Sequence, residues 1–293
     1  MQGTTGTTPH FSGAARLDRV VVDDGGGLAV VDAGDPHDPG LLLVPGFGGA
    51  KEDFADHVDT LVGAGHHVVS FDHRGHGGSD HPADPAAYSL DRLGADVRAV
   101  ARATGLRDLR LLGHSMGGMA VRRAVLQEPD LAQALVFMDT AAVPPLGVDP
   151  ELARLGAEIA LSDGMAALKQ VQEELDPLGS PAYQRVIVER PGFRDYAEAK
   201  WASLSPVMWA TLAVEMTTQP DELRALAASV SVPTLVLVGD QDRAFLQPSR
   251  DLAASIDTAR LVVLPDAGHS PQFENPTAWR AAMLEFLASL DPA

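Results

Sequence analysis

The sequence predicts an α/β fold, a doubly wound and mostly parallel sheet of about eight strands with a helical lid insertion. Short apolar runs rich in β-branched residues alternate with segments whose apolar residues recur every three or four positions, as in strands and helices. The alternation stops after Thr140 and resumes at Thr234, and the stretch between them is mostly helical in pattern. With 293 residues, the chain is long enough for a large core that carries such an insertion.

The predicted elements follow one another in a regular order. Strands are predicted at residues 19–22, 28–31, 41–44, 67–71, 109–112, 134–138, 234–238 and 260–264. Helices are predicted at residues 52–61, 90–104, 119–128, 151–161, 165–175, 208–216, 249–256 and 277–290. Because strands that alternate with helices pair in parallel, we expect helices on both faces of the sheet.

The composition excludes several classes of chemistry. The sequence has no cysteine, which excludes disulfides, thiolate metal sites, iron–sulfur clusters and a cysteine nucleophile. Its 40 acidic and 22 basic side chains give a formal charge of −18, and this charge repels phosphate backbones and anionic lipid surfaces. We therefore expect no nucleic acid and no membrane as partner.

The amino terminus and the lengths of the apolar runs predict the cellular location of the protein. Residues 1–10 are polar and lack the basic start and apolar core of a secretory signal, and residues 1–15 are predicted to be a disordered lead. The longest apolar runs fall far short of the ~20 residues that cross a bilayer. These features predict a soluble, cytoplasmic protein.

A serine between two glycines is the strongest chemical signal. The predicted strand 109–112 runs into Gly113-His-Ser-Met-Gly117, and a predicted helix follows directly. On so sharp a turn the serine backbone is strained, and the flanking positions favour glycine because neighbouring chains pass close by. The five-residue pattern alone also fits an ordinary tight turn. The strand before it and the helix after it favour Ser115 as a nucleophile.

A series of motifs gives nearly the whole chain a family resemblance. They are Pro45-Gly-Phe-Gly-Gly49, Phe71-Asp-His-Arg-Gly-His-Gly-Gly-Ser79, Gly113-His-Ser-Met-Gly-Gly118, Gly239-Asp-Gln-Asp242 and Gly268-His-Ser-Pro-Gln-Phe-Glu-Asn-Pro276. In their order the chain resembles the α/β-hydrolase superfamily, in the branch of small bacterial serine hydrolases with a helical cap. The resemblance implies an α/β-hydrolase core at residues 16–142 and 231–293, and a helical cap, or lid, at residues 143–230.

A serine hydroxyl needs an adjacent base, and ten histidines compete for that role. His269 follows the predicted strand 260–264, so it emerges at the carboxyl edge of the sheet, as Ser115 does. The other histidines are predicted at the surface (His10, His37, His57, His81), in packing or capping (His66, His67), or in structural loops (His73, His76, His114). No metal site is predicted, because the spacing of Asp72, Asp80 and His81 matches no metal motif.

The imidazole must be oriented by a carboxylate, which also stabilises it once it is protonated. The resemblance places this acid at Asp242, just after the predicted strand 234–238. Asp240 is a near alternative. Asp139, after the strand 134–138, is a more distant one, because some relatives place the acid there.

Attack on a carbonyl produces an oxyanion that backbone N–H groups stabilise, and the loss of one donor costs ~10²–10³ in rate. One predicted donor is Met116, the residue after the nucleophile. The resemblance places the other at Phe47, in the glycine-rich turn after the strand 41–44. The sequence departs from many relatives at Pro45, where they have histidine.

The predicted cap is rich in aromatic and methionine side chains, enough to roof a pocket. Most of them are expected to pack between helices, and Met208 and Trp209 are the candidate substrate contacts. Such a lid excludes water and selects the shape of the substrate.

Together these residues predict hydrolysis of a carboxylic ester or lactone of a small, largely apolar molecule, through an acyl-enzyme on Ser115 and with no cofactor. The serine argues against dehalogenases and epoxide hydrolases, which use a carboxylate nucleophile. Carbon–carbon bond hydrolases of ring-cleavage products, acyltransferases and perhydrolases remain alternatives on the same triad. A small-molecule receptor with slow turnover is an alternative of another class. A homodimer is compatible with the sequence.

Overall fold

Eight strands form the central sheet, which is described by a computed structural model over residues 8–175 and 179–290. The strands are β1 (Arg16–Val21), β2 (Gly27–Ala33), β3 (Pro39–Val44), β4 (His67–Phe71), β5 (Arg107–His114), β6 (Ala134–Met138), β7 (Thr234–Gly239) and β8 (Ala259–Leu264). Their spatial order is β1-β2-β4-β3-β5-β6-β7-β8. β2 pairs antiparallel with β1 and β4, and the other neighbours pair in parallel. The predicted fold class is confirmed.

Helices connect the strands and cover both faces of the sheet. They are α1 (Ala55–Gly63), α2 (Leu90–Ala103), α3 (Met116–Gln127), α4 (Pro150–Ser162), α5 (Met165–Leu175), α6 (Pro181–Glu189), α7 (Phe193–Ala202), α8 (Pro206–Thr218), α9 (Leu223–Ser229), α10 (Leu246–Ser255), α11 (Pro271–Glu274) and α12 (Pro276–Leu290). Short 3-10 turns lie at Lys51–Phe54 and Pro85–Ala87. Within the described ranges, no helix combines the length and the apolarity needed to cross a membrane.

The two faces of the sheet bury different side chains of the same strand. In β3, Leu41 and Leu43 pack in an apolar cluster with Trp279 of α12. Leu42 and Val44 pack in a second cluster, which includes side chains of α2 and α3. Because successive side chains of a strand point to opposite faces, a strand covered on both sides is apolar at most of its positions. This is why the central strands are visible in the sequence as continuous apolar runs.

His57 of α1, predicted at the surface, is fully buried instead. Its Nε2 donates a hydrogen bond to the carbonyl oxygen of Gln272 at 2.9 Å, and its ring lies 4.2 Å from that of Trp279, centroid to centroid. The acidic neighbours along the chain point elsewhere, because residues beside each other in a helix occupy different faces.

The described residues between β6 and β7 form the helices α4 to α9. The ring of Trp209 in α8 packs directly on Gly156 of α4, where an added Cβ would lie 2.7 Å from the indole. Phe193 and Tyr196 of α7 form a smaller apolar cluster with Phe273. The helical character predicted for this segment is therefore observed, and its assignment as a cap at residues 143–230 stays a prediction.

The predicted disordered lead, residues 1–15, lies in part outside the described residues, which begin at residue 8. Residues 8–15 differ from that expectation because they pack on the core. Pro9 is buried, and Phe11 contacts the apolar cluster that contains Trp279. Ser12 Oγ also donates to Asp59 of α1 at 2.7 Å. One aromatic ring in contact with the core favours this ordering.

Candidate active site

The turn from β5 into α3 holds Ser115 in a strained backbone conformation, with φ 52° and ψ −120°. A Cβ on Gly113 would lie 2.6 Å from the carbonyl oxygen of Gly117, and a Cβ on Gly117 would clash with the carbonyl oxygens of Val44 and Pro45. Both flanking positions therefore have room for glycine only. The N–H of Ser115 donates to the carbonyl oxygen of Met138 at 2.9 Å, which fixes the turn against β6.

Ser115 and His269 are in hydrogen-bond contact. Oγ of Ser115 lies 2.9 Å from Nε2 of His269, although the two residues are 154 positions apart in the sequence. The imidazole stacks on the ring of Phe245, with centroids 4.9 Å apart. The pair meets because β5 and β8 both end at the carboxyl edge of the sheet, where the sequence predicted the two side chains to emerge.

A carboxylate lies on the far side of the imidazole. Oδ2 of Asp242 accepts a hydrogen bond from Nδ1 of His269 at 2.7 Å, and Oδ1 accepts from the N–H groups of Ala244 and Phe245 at 3.2 Å. Burial alone would raise the pKa of Asp242, but the adjacent His269 and these hydrogen bonds hold it below its usual value. Asp242 is therefore ionised and placed to orient the imidazole.

The two alternative acids occupy other places. Asp240 is exposed, and its Oδ1 accepts from the N–H of Ala267 at 3.2 Å, so it supports the loop before His269 rather than the ring. Asp139 is fully buried beside Asp242, with a carboxyl oxygen within 4.8 Å of ligand atoms of Asp242 and His269. Of the three candidates, the structure places Asp242 on Nδ1 of the imidazole.

The glycine-rich turn after β3 lies against the serine. A Cβ on Gly46 would be 3.1 Å from the Cβ of Ser115, and the next residue, Phe47, lines the same cavity as Ser115. Met116 is the first residue of α3, where N–H groups have no partner inside the helix. Of the two predicted oxyanion donors, Met116 thus follows Ser115 directly, and Phe47 lines the same cavity.

Two buried histidines support that turn, a role that was not predicted from the sequence. Nε2 of His73 donates to the carbonyl oxygen of Pro45 at 3.0 Å, and Nε2 of His76 accepts from the N–H of Gly48 at 3.1 Å. Nδ1 of His76 donates to the carbonyl oxygen of Arg74 at 3.1 Å, which fixes its tautomer. Burial lowers the pKa of His73 to about 3 and of His76 to about 4, so both rings are neutral near neutral pH. The only sequence signal for this role is the loop motif that contains them.

A cavity of about 530 Å³ contains Ser115 and His269 in its lining. This volume suits a small organic molecule. The lining includes apolar side chains, namely Phe47, Ile187, Trp201, Leu204, Trp209 and Phe273. It also includes charged side chains of the inserted helices, namely Lys169, Glu173, Arg194, Glu198 and Lys200. The site therefore combines aromatic surface with charges contributed by the insertion.

The two residues predicted to touch substrate differ in position. Trp209 lines the cavity, and its ring centroid lies 5.7 Å from that of Phe47. Met208 is fully buried and packs on Gly75, where an added Cβ would lie 2.5 Å from the Cβ of Met208. Met208 is not part of the lining of this cavity, because successive residues of an α-helix are turned by about 100° and only Trp209 of this pair faces the cavity. A substrate contact of Met208 stays a prediction.

A buried carboxylate connects α7 to the glycine-rich turn. Oδ1 of Asp53, which is 3% exposed, accepts from the hydroxyl of Tyr196 and from Nζ of Lys200, both at 2.6 Å. Its Oδ2 lies 3.3 Å from the N–H of Ala50, and a Cβ on Gly49 would lie 2.7 Å from Oδ2. No sequence pattern indicates these contacts, because their partners are 143 and 147 positions away along the chain.

The described residues contain a group with the types of side chain that bind metals: Asp139, Asp242 and His269, with ligand atoms within 4.8 Å of one another. Nδ1 of His269 and Oδ2 of Asp242 are already bonded to each other at 2.7 Å. The remaining nitrogen, Nε2, faces Ser115. The donor set therefore fits a chain of hydrogen bonds that moves a proton better than it fits a cation.

Known proteins resemble the chain over most of its length. A family model described as alpha/beta hydrolase fold matches residues 39–276, and the chain belongs to this family. Epoxide hydrolase A of Mycobacterium tuberculosis (strain ATCC 25618 / H37Rv) is 28% identical, over 94% of this chain and 99% of the relative. A non-heme haloperoxidase of Rhodococcus erythropolis is 30% identical, over 82% of this chain and 89% of the relative.

The enol-lactonase from Burkholderia xenovorans LB400 is a similar solved structure, with a TM-score of 0.80, 26% identity and coverage of 92% of this chain and 100% of that chain. The predicted resemblance to bacterial α/β-hydrolases is confirmed, and the protein is an enzyme of this hydrolase family. The names of these relatives span several reactions, so the bond that this chain acts on is decided by its own site.

Proposed function

We propose that the protein hydrolyses a carboxylic ester or lactone of a small, largely apolar molecule, with Ser115, His269 and Asp242 as a catalytic triad. One observation carries the proposal. Hydrogen bonds of 2.7 and 2.9 Å run from Asp242 through His269 to Oγ of Ser115, which lines the cavity. A neutral imidazole held in this way accepts a proton at Nε2, and this is what a serine nucleophile requires.

The proposed reaction has two halves. Oγ of Ser115 attacks the carbonyl carbon while Nε2 of His269 takes the hydroxyl proton, and the N–H groups of Phe47 and Met116 stabilise the oxyanion. The intermediate then expels the alcohol, which takes the proton from His269 and leaves the acyl group on Ser115. Water attacks the acyl-enzyme with the same imidazole as base, and the free acid departs.

The lining of the cavity supports a compact, partly aromatic substrate. Phe47 and Trp209 present aromatic surface close to the serine. Lactones are included because a structural relative is named an enol-lactonase. Epoxide opening is not proposed, although one relative carries that name, because Ser115 stands at the nucleophile position where the resemblance implies a carboxylate for epoxide hydrolases.

Perhydrolysis is a second candidate, favoured by the 30% identity to a haloperoxidase. In this reaction hydrogen peroxide replaces water as the acceptor of the acyl group, and a peracid is released. The same acyl-enzyme serves both reactions. Peracid formation from acetate and hydrogen peroxide, measured beside ester hydrolysis, separates the two candidates.

Labelling with a fluorophosphonate, read by intact-mass spectrometry, tests the proposed function. We expect one label on the wild type and none on Ser115→Ala, whose kcat on p-nitrophenyl esters should fall by about 10⁶. Ser270→Ala is the matched control, because Ser270 lines the same cavity and should not be the labelled residue. No label and no ester or lactone turnover in the wild type would overturn the proposal.

A further inference from the structure

A second carboxyl group lies beside Asp242. Asp139 follows β6 and is fully buried, and its backbone has a positive φ of 45°. Oδ1 of Asp139 accepts from the N–H of Gly239 at 2.9 Å. Oδ2 is buried and has no hydrogen-bond partner among the residues that the structure describes. As a carboxylate, this oxygen would be a buried charge without a donor, which is costly.

The environments of the two carboxyl groups are unequal. Asp242 accepts three hydrogen bonds, one from Nδ1 of His269 and two from the backbone N–H groups of Ala244 and Phe245. Asp139 accepts one. Two buried carboxylates this close do not both stay ionised, and the group with fewer donors keeps the proton.

Burial and the charges around Asp139 also favour its protonated form. Burial, the nearby charge of Asp242 and the more distant carboxyl of Glu274 together raise the pKa of Asp139 well above its usual value. The titratable groups that face it are Asp242, His269 and Glu274. A neutral Asp139 also resolves the unpartnered oxygen, because a protonated Oδ2 is a donor and the neighbouring acceptor is the Asp242 carboxylate, with an oxygen within 4.8 Å of an Asp139 oxygen.

We propose that Asp139 is an uncharged positioning residue whose carboxylic acid donates a hydrogen bond to the Asp242 carboxylate. The proposal rests on the proposed function, in which Asp242 orients His269. The added donor withdraws charge from Asp242, so that Asp242 stays ionised and leaves the proton on the imidazole. Asp139 thereby acts only through Asp242 and touches neither substrate nor serine.

Carbon-13 NMR of the protein labelled at aspartate side-chain carboxyls tests the proton directly and needs no turnover. The Asp139 resonance is assigned by its absence in Asp139→Asn. We expect the chemical shift of a protonated carboxyl that does not move across the neutral pH range. A carboxylate shift across this range would overturn the proposal, whatever reaction the enzyme catalyses.

A pair of variants tests the consequence for the site. Asp139→Asn is neutral and keeps an N–H donor, so kcat/KM should stay within about fivefold of wild type with an unmoved acidic limb of the pH profile. Asp139→Ala removes the donor, so the acidic limb should move to higher pH and kcat should fall by about 10- to 100-fold. If Asp139→Asn instead moved the acidic limb down by about one unit, Asp139 would be ionised in the wild type and the proposal would be wrong.

The rate of fluorophosphonate labelling at each pH gives the same profile when no ester is turned over. A wild type that is neither labelled nor active would contradict the proposed function, and the NMR result would still decide where the proton lies. If Asp139→Ala does not fold, the NMR result and Asp139→Asn decide the proposal between them.

Discussion

Nε2 of His114 donates a 2.7 Å hydrogen bond to the backbone carbonyl oxygen of His269, so the residue before the predicted nucleophile holds the loop of its predicted base. The two rings are 5.1 Å apart between centroids. Burial and the nearby His269 lower the pKa of His114 to about 3. His114 is therefore neutral near neutral pH, and its Nε2–H is a constant donor to the loop.

Replacing His114 should slow the reaction through the position of His269. His114→Phe removes the donor, and we expect kcat to fall by about 10- to 100-fold because the imidazole is less well placed, with a smaller change in KM. His114→Gln keeps an N–H donor and should lose less. Steady-state kinetics on a p-nitrophenyl ester measure both, and equal losses in the two variants would show that the hydrogen bond is not the cause.

Asp242→Asn should lower kcat by about 10⁴, because an amide neither stabilises the imidazolium nor selects the required tautomer. Asp240→Asn is the matched control on the same loop and should stay near wild type, because Asp240 contacts the N–H of Ala267 and not the ring. Kinetics at saturating substrate give both values. If Asp242→Asn were harmless while Asp139→Asn abolished activity, Asp139 would be the catalytic acid.

The sequence predicts best the strands whose apolar residues are set by burial on both faces of the sheet. The bounds of β4 and β6 match the predicted residues 67–71 and 134–138, because a strand covered on both faces is apolar at most of its positions. That Ser115, Asp242 and His269 lie together was also predictable. Each follows a recognisable strand, and the carboxyl ends of parallel strands meet at one edge.

The features that the sequence does not predict depend on which surfaces meet. His57 has acidic neighbours, yet its side of α1 faces α12. Met208 and Trp209 are adjacent and equally apolar, and only the packing of α8 decides which one lines the cavity. The contacts of Asp53 with Tyr196 and Lys200 join distant segments and leave no local pattern.

Lys200→Met should destabilise the protein, because it removes one of the two side-chain donors that compensate the buried charge of Asp53. We expect the free energy of unfolding to fall by about 1–3 kcal/mol, with partial recovery when Asp53→Asn is added. Urea unfolding measures the change.

Lys169→Met is the control for Lys200→Met. Lys169 lines the same cavity but pairs with Glu173 and Glu198, which are exposed, so its loss should cost about 0.5 kcal/mol or less. Equal losses for the two lysines would mean that the contact with Asp53 adds nothing.

Stability should fall as the pH drops below about 6.5, the usual pKa of an unfolded histidine. Burial lowers the pKa of His57 and His76 to about 4 and of His73 and His114 to about 3, so the unfolded chain binds more protons in this window. Between its lowered pKa and about pH 6.5, each ring changes the free energy of unfolding by up to about 1.4 kcal/mol per pH unit. This stabilisation is complete above pH 6.5 and is lost as the pH falls. The raised pKa of Asp139 acts in the opposite sense. Urea unfolding at a series of pH values measures the slope.

His57→Phe isolates one of these rings away from the active site. Phenylalanine keeps an aromatic contact with Trp279 and cannot take a proton. The free energy of unfolding should therefore depend less steeply on pH between the lowered pKa of His57 and about 6.5. The decrease corresponds to about one fewer proton bound on unfolding. An unchanged slope would show that His57 is not titrated on unfolding.

Asp53 connects a helix that lines the cavity to the turn that carries the predicted oxyanion donor Phe47. The same carboxylate binds α7, which lines the cavity, and the backbone beside the turn that carries Phe47. Exchanging α7 with that of a relative to admit a new molecule therefore also disturbs the turn, unless residue 53 is changed to suit the new helix. Under the proposed function, a broader substrate range and an undiminished rate would have to be selected at α7 and at residue 53 together.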